Sequence, residues 1–433
     1  MTDDTGNEQE EERPRLSTRQ AAERLGVKPE TVYAYVSRGL IGSRRSAGGR
    51  GSTFDAADVD ALARASRRPA AAAREAAPDL MSVRTGITLI EPDGCYFRGV
   101  DARELAAACG FEQAADWLWT GRLTRDMRFT APEPSVNAAR AAAAALPDHC
   151  AAIDRLRAAV VAAAVADPLR FDLAEEAVLV RARGLLPTLV GALPLQGRDG
   201  RDGGDGRNSG GGPNSGDGMA RSLWPRLTTR RPTEALLRTL EVAMILLLDH
   251  DLAASTLAAR VAASARAHPY AVVSAGLGAL DAPLHGAASA GAYRMLAEVL
   301  ERGSATAVVA DILRAGRRVP GLGHRIYPGE DPRARALFTK LEEVPACAAA
   351  LEAAHEVAAT AGRPANIDLA LGVLTLGAGM AAEAGEAVFA VARTAGWIAH
   401  ALEEYGERPL RLRPSGHYTG PRPPRHLPAA VQP

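Results

Sequence analysis

Through most of its length this chain spaces its apolar side chains three and four positions apart, and most of those side chains are small. Alanine fills much of the pattern, while aromatic residues make up only 4% of the chain. The spacing gathers apolar groups on one face of a 3.6-residue helix, and alanine is the strongest helix former. Packed helices are favoured over sheets, so the expected fold class is all-α. At 433 residues the chain exceeds one core of average size, and two or three domains are expected. A content of 47% hydrophobic and 24% charged residues is that of a soluble globular protein and excludes global disorder.

The 51 basic residues are balanced by 51 acidic ones, so the whole molecule is no polycation that coats nucleic acid. Local patches must carry any such role. Four cysteines, Cys95, Cys109, Cys150 and Cys347, form no CxxC pair, which argues against a zinc knuckle or a disulfide framework and for reduced cytoplasmic thiols. The most hydrophobic run, Val242 to Leu248, is far short of the roughly 20 residues that span a bilayer. The N-terminus is acidic where a signal peptide would be basic and apolar. A cytoplasmic protein with no membrane partner is expected.

Composition shifts divide the chain. Residues 1–12, ending in three glutamates, lack apolar anchors and are expected to be a disordered acidic tail. Between 13 and 68 twelve basic residues stand against five acidic ones, which marks a small basic module. Pro69 and Pro78 bracket an alanine-rich stretch, giving a linker over 69–80. From residue 81 to about 421 helical patterning resumes, with residues 422–433 as a flexible tail. One tract interrupts it, GRDGRDGGDGRNSGGGPNSGDG over 197–218, nearly half glycine and otherwise almost all polar. It cannot bury enough surface to offset its ordering entropy and is expected to be a disordered insertion; without a preceding strand or a GK[ST] it is no phosphate loop.

In the basic module, Ser17 and Gln20 form a capping box, and Ala21, Ala22 and Leu25 give a first helix its apolar face. Gly26 ends it. Pro29 suits the first position of a second helix, with Val32, Tyr33 and Val36 directed inward through Ser37. This segment resembles the winged helix-turn-helix of the MerR and excisionase families, with a wing from Gly42 to Ser52 and a further helix begun by FDAADVDAL. The resemblance implies that Lys28, Glu30, Thr31 and Tyr35 face duplex DNA while Arg44, Arg45 and Arg50 neutralise phosphates. A retained helical module that docks on protein is the other reading.

In the large region histidines and arginines concentrate in three distant segments. They hold His250 and His285; then His324, Arg325 and Arg333; then Asp368, Arg393 and Arg413. Singly each has a plain structural explanation, His285 as a helix cap, His324 as a loop residue, Asp368 as an N-cap. No HxxxH spacing supports a metal site and no GxSxG elbow supports a serine hydrolase. Together, two histidines, a carboxylate and several arginines suit enolisation of one substrate beside a polycarboxylate.

PLHGAAS, PGLGHRIYPGEDPRA, NIDLALG and RPLRLRPSGHYTGP occur in that order, and with VRTGITLIEPDGCYFRGVDARELA they resemble citrate synthase over some four-fifths of the chain. The resemblance implies a two-domain helical fold with a small closing subdomain over about 286–370, a homodimer with shared active sites, and no cofactor beyond the substrates. It implies that Asp368 removes a proton from acetyl-CoA, that neutral His285 stabilises the enolate oxygen, and that His324 polarises the oxaloacetate carbonyl. Arg333, Arg393 and His250 would bind oxaloacetate, Arg413 would come from the neighbouring subunit, and Gly321, Leu322, Gly323 and Arg325 would line the CoA site. Ala253, Ser289, Pro328 and Ser415 depart from the family's usual residues and bear on CoA affinity and on the choice between acetyl-CoA and propionyl-CoA. The alternative is a DNA-binding transcription regulator that uses the synthase-like domain as a metabolite sensor.

Overall fold

The computed structural model describes residues 15–25, 27–37, 41–45, 52–60, 83–197, 218–282, 285–286, 288–414 and 419–420. The acidic tail, the linker, Arg50, nearly all of the 197–218 tract and the 422–433 tail lie outside the described residues. So do Gly26 and the side chains of Glu30, Arg44 and Arg45. The chain divides into two compact units, Met1–Val83 and Arg84–Pro433.

In the first unit, β1 (Arg15–Ser17) leads into α1 (Thr18–Leu25), then α2 (Pro29–Ser37), β2 (Ser43–Arg45), β3 (Ser52–Asp55) and a helix α3 over 56–60. The capping box forms: the Ser17 amide donates to Gln20 Oε1 at 2.9 Å, and the Gln20 amide to Ser17 Oγ at 3.4 Å. β3 lies between β1 and β2, antiparallel to both, so the two arms of the wing pair Ser43 with Phe54 and Arg45 with Ser52. Phe54 is therefore a strand residue, and Asp55 caps α3 by accepting from the Ala57 amide at 2.8 Å. Ala21, Ala22, Val32, Ile41, Phe54 and Val59 form the small core.

The expected directions of the two tyrosines are corrected. Tyr33 is 48% exposed, whereas Tyr35 is partly buried against the core, away from the groove-facing role expected of it. At 100° per residue, Tyr35 and Val36 share the face of Val32 and Tyr33 turns off it. Lys28 is exposed and Thr31 partly so.

The second unit opens with a feature the helical reading missed, a three-stranded antiparallel meander of β4 (Thr88–Glu91), β5 (Gly94–Phe97) and β6 (Val100–Asp101). Helices follow: α4 (Ala102–Ala108), α5 (Phe111–Thr120), α6 (Glu133–Ala144), α7 (Ala152–Ala166), α8 (Glu175–Ala192) and α9 (Met219–Leu223). Then come α10 (Glu234–Leu246), α11 (Ala254–Ser264), α12 (Pro269–Leu280), α13 (Ala288–Arg302) and α14 (Ala305–Arg314). The last are α15 (Pro332–Glu342), α16 (Ala348–Ala361), α17 (Ile367–Gly377) and α18 (Ala384–Gly406). The unit is all-α but for the meander.

Its buried apolar residues form one continuous cluster from Ile87 to Ala401. α18 runs through that cluster and is buried nearly all round from Ala384 to Ala401, as its mostly small and apolar sequence, broken by Glu386, Arg393, Thr394 and His400, allows. Gly276 and Gly396 make this possible, since a Cβ at either would meet the Trp397 ring or the Leu248 carbonyl within 2.5 Å. Among the described residues no helix is long and apolar enough to cross a membrane.

Candidate active site

Most candidate residues of the large unit sit in the loops between helices or in a helix's first turn, whereas Arg393 lies inside α18 and Arg413 beyond its end. His250 follows the end of α10, and His285 stands in a turn after α12 where its amide donates to the Ala282 carbonyl at 3.0 Å. His324 and Arg333 flank the start of α15, and Asp368 lies in the first turn of α17. Helix ends carry unpaired backbone groups and loops with freedom to aim side chains, which is why sites gather there.

Two short segments are laced together to bring His324 and Asp368 to one place. The Asn366 amide donates to the Gly321 carbonyl at 2.9 Å, the Gly323 amide to the Pro364 carbonyl at 2.7 Å, and Asn366 Nδ2 to the Gly323 carbonyl at 2.8 Å. Gly321 and Gly323 take φ of 74° and 71°, and a Cβ on Gly321 would stand 2.7 Å from Leu369 Cβ. Leu322 is buried and bridges to Ala365, so only its backbone faces outward, while Arg325 is exposed. Asn366 is the N-cap of α17; its Oδ1 accepts from the Asp368 amide at 3.0 Å. The cap reading of Asp368 is thereby corrected, and its carboxylate is left without a structural duty.

The two candidate acid-base histidines are neutral for stated reasons. Burial, then the neighbouring Arg393 charge, pushes His285 down to about 4. Trp397 Nε1 donates to Ser255 Oγ at 3.4 Å, and Ser255 Oγ lies 2.8 Å from His285 Nε2. The Ser255 hydroxyl can donate to Nε2, and in that arrangement His285 carries its ring proton on Nδ1.

His324 is lowered by burial and by Arg333, with Asp331 pulling the other way. Its Nδ1 accepts from the Ile326 amide at 3.1 Å and the Tyr327 amide at 3.4 Å, so the ring proton resides on Nε2. His250, stacked edge-on with His324 at 5.2 Å, is held well below its ordinary value by burial and by Arg333, Arg393 and His324. Its Nε2 lies 3.0 Å from the Tyr327 hydroxyl, which also meets the Cys95 thiol. Cys95, on the inward face of β5, is pushed up to about 11 by burial and is no nucleophile.

The two buried arginines differ in how they are held. Arg333 grips Asp331 through two bonds, Nε to Oδ1 at 3.0 Å and Nη2 to Oδ2 at 2.7 Å, and Asp331 also accepts from the Ile367 amide at 3.2 Å. Burial opposes its charge, but Asp331 more than offsets this and holds the guanidinium above its usual range. Arg393 donates Nε to the Leu247 carbonyl at 2.9 Å and lies over the Phe389 ring at 4.5 Å. Its Nη2 is buried without any partner, and burial lowers it to about 10.

Electrostatics show which groups share the site. Arg393 acts on His250, His285 and Asp368, and Arg333 on His250, His324 and Asp368. Asp368 is itself raised to about 6, chiefly by burial. Arg413 is exposed and makes no contact with these residues among the described ones, while its neighbour Arg411 clamps Glu404 at 2.7 Å. Sequence reasoning missed Ser255, Tyr327, Trp397 and Asp331. Tyr327 and Asp331 stand inside the PGLGHRIYPGEDPRA motif; Ser255 and Trp397 lie outside the quoted motifs. The arrangement suits proton abstraction by a carboxylate poised near neutrality, with two neutral N–H donors for developing oxyanions and cations for carboxylate groups.

Both units of the chain match known families. The family model "Citrate synthase, C-terminal domain" matches residues 78–415, and "Helix-turn-helix domain" matches residues 15–67. The citrate synthase of Mycolicibacterium smegmatis is 30% identical over 357 residues, covering 78% of this chain and 92% of that protein. The 2-methylcitrate synthase of Mycobacterium tuberculosis is 29% identical, covering 78% of this chain and 88% of that protein. A shorter match, 36% identical over 202 residues, takes in 45% of this chain and 53% of the citrate synthase of Haloferax volcanii. Among solved structures, the citrate synthase of Thermotoga maritima is similar at a TM-score of 0.62 with 26% identity, covering 81% of this chain and 96% of that one.

Proposed function

The chain belongs to the citrate synthase family, and from that premise we propose that it is an acyltransferase that condenses acetyl-CoA or propionyl-CoA with oxaloacetate, giving citrate or 2-methylcitrate and CoA. The observation that carries the reading is Asp368, a carboxylate raised to about 6 by burial, excused from capping by Asn366, and acted on by the buried Arg333 and Arg393.

In this mechanism Asp368 takes a proton from the carbon beside the thioester carbonyl. The enolate oxygen receives a hydrogen bond from His285 Nδ1–H, the donor that Trp397 and Ser255 set up. Oxaloacetate lies with its carboxylates on Arg333, Arg393 and His250 and its keto oxygen on His324 Nε2–H. The enolate carbon attacks the keto carbon, and the new alkoxide takes the His324 proton. Water then cleaves the thioester of the citryl-CoA, releasing CoA; no cofactor beyond the two substrates enters. The backbone of Gly321 to Gly323, with Arg325, borders the CoA site.

A homodimer is part of the reading. α7 and α8 expose Val161, Val165 and Val180, and the turn between them exposes Leu169 and Phe171, an apolar surface that a second copy would cover. Arg413, exposed on its own chain, then supplies a cation to the partner's oxaloacetate, and residues 286–370 close over the substrates. We assign the 13–68 module to DNA binding on the strength of its winged helix-turn-helix and its positive balance, with Lys28, Thr31 and the wing residues Arg44, Arg45 and Arg50 toward phosphates. The sensor-only alternative needs the arginine clamp but not the base, so a poised Asp368 favours the enzyme.

The test is thiol release from acetyl-CoA and propionyl-CoA with oxaloacetate and the purified protein. Release with either donor supports the reading, and the ratio of the two rates assigns the acyl group. No release with either, from folded dimeric protein, overturns it.

A further inference from the structure

Among the described residues of the catalytic unit, five arginines are buried to within a tenth of complete: Arg155, Arg226, Arg260, Arg333 and Arg393. A buried charge is costly unless it is paired. Arg260 meets Glu403 at 2.7 Å and Glu404 at 3.1 Å, and Arg333 meets Asp331. Arg155 spends its donors on the carbonyls of Ala143, Pro147 and Asp148. Among the described residues Arg393 and Arg226 have no ion-paired carboxylate. For Arg393 the missing anion is oxaloacetate in the mechanism above; for Arg226 nothing in that mechanism supplies one.

Arg226 donates Nη1 to the Ser222 carbonyl at 2.6 Å, and its Nε is buried with no partner. Like Arg393 it is lowered to about 10 by burial, in this case with Arg140 adding to the effect. It lines a cavity of about 430 Å³ that shares no residue with the condensation site. Arg155 lines the same cavity.

Two helix N-termini also border it, those of α7 at Ala151 and α18 at Ala384. The α18 start has no side-chain cap, since Glu383 does not bond back to the helix; at α7 alanine is the N-cap and the Asp154 carboxylate accepts from the Ala151 amide at 3.2 Å. Of the two carboxylates in the lining, Glu383 is taken by Arg294 at 2.6 Å and Asp148 belongs to an exposed residue. A buried guanidinium with an unpartnered Nε, a second buried arginine beside it and the uncapped start of α18 on one cavity are a built receptor for negative charge.

We propose that this cavity binds a small ligand through an oxyanion group, phosphate or carboxylate, at a site separate from the condensation centre. The assignment rests on Arg226 and its surroundings and stands whether or not the acyltransferase reading does. The site borders the first turn of α18, the helix that carries Arg393.

The experiment is calorimetric titration of the full-length protein, saturated with oxaloacetate, with pyrophosphate and separately with tricarballylate, against sodium chloride at matched ionic strength. Saturable binding of one probe, weakened at least tenfold in Arg226→Met and retained in Arg393→Met, is expected; which probe binds tells phosphate from carboxylate. Failure of both probes, or equal binding by Arg226→Met, overturns the site. Should Arg226→Met not fold, Ala384→Glu places a carboxylate on the cavity wall at a helix start that tolerates it. The thermal midpoint of the wild type should rise with the binding probe and that of Ala384→Glu should not. An equal rise in both overturns the proposal.

Discussion

His285 and His324 are both lowered by burial and by a neighbouring arginine, yet their surroundings are built differently. On the side assigned to the acyl donor, a side-chain chain from Trp397 through Ser255 fixes the His285 ring. On the side assigned to oxaloacetate, backbone amides fix His324, and the ring of His250 leans on Tyr327, which itself leans on Cys95. The donor side thus depends on one hydroxyl, whereas the acceptor side is held by main chain and surrounded by cations. Perturbations on the two sides should separate into effects on turnover and effects on oxaloacetate binding.

The largest effect is expected where the sides meet. Asp368→Asn keeps the shape and cannot take the proton, so turnover should fall by about a thousandfold, within the range general bases contribute. Oxaloacetate affinity, measured by calorimetry, should stay within about twofold. Near-native turnover would move the base elsewhere.

Next come the arginines of the acceptor side. Removing one clamp while the substrate carboxylate stays buried should cost about 2 to 5 kcal/mol in oxaloacetate binding. Stability should tell the two apart. Arg333→Met leaves Asp331 buried and unpaired and should lower the thermal midpoint, whereas Arg393→Met removes a charge that lacks a partner and should leave the midpoint unchanged or raise it. Equal destabilisation by both would show that Arg393 is held by the fold and not kept for a ligand.

Acid titration comes third. Asp368 is raised to about 6 and acts as a base only when ionised, so kcat/KM for the acyl donor should fall about tenfold per pH unit below that value. His285, down at about 4, stays neutral through this range and adds no second loss until more acid pH. A flat profile to pH 5 would contradict the assignment.

How much of this was legible follows the same division. Helical periodicity and the ordered motifs pointed to the fold and to His285, His324 and Asp368, since those residues sit in short contiguous segments. The devices that hold them were not readable. A backbone amide on His324 Nδ1 has no sequence signature, and Ser255 and Trp397 are 142 positions apart. The β4–β6 meander escaped because four-residue strands leave little alternation to detect beside long alanine-rich helices. The Tyr33 and Tyr35 directions were exchanged because a two-position difference on a nine-residue helix turns a side chain by about 200°. Asn366 as the cap, and Asp368 as the residue released by it, needed the bond itself.

The donor side can then be broken alone. Ser255→Ala leaves His285 without the hydroxyl on Nε2 and frees either ring nitrogen to carry the proton. Losing one such bond is worth about 1 kcal/mol, so kcat should fall roughly fivefold to tenfold with the KM for oxaloacetate unchanged. A shift in that KM equal to the loss in kcat would mean that the hydroxyl supports both sides.

The smallest effect is expected from the matching hydroxyl across the site. Tyr327→Phe removes the group between His250 Nε2 and the Cys95 thiol without altering the ring that packs beside His324 at 4.8 Å. His324 keeps its two backbone amides, so the donor that polarises the keto group is preserved and kcat should change little. His250 loses the bond that selects its tautomer, and its contact with oxaloacetate should weaken by about 1 kcal/mol, seen as a roughly threefold to fivefold rise in the KM for oxaloacetate. The KM for the acyl donor should not move. Because Ser255→Ala and Tyr327→Phe each delete one hydroxyl from one histidine, opposite signatures in kcat and KM would show that the two sides act separately. If Tyr327→Phe lowered kcat as Ser255→Ala does, the Tyr327 hydroxyl would serve His324 after all, and the acceptor side would be no better held by its backbone than the donor side is by Ser255.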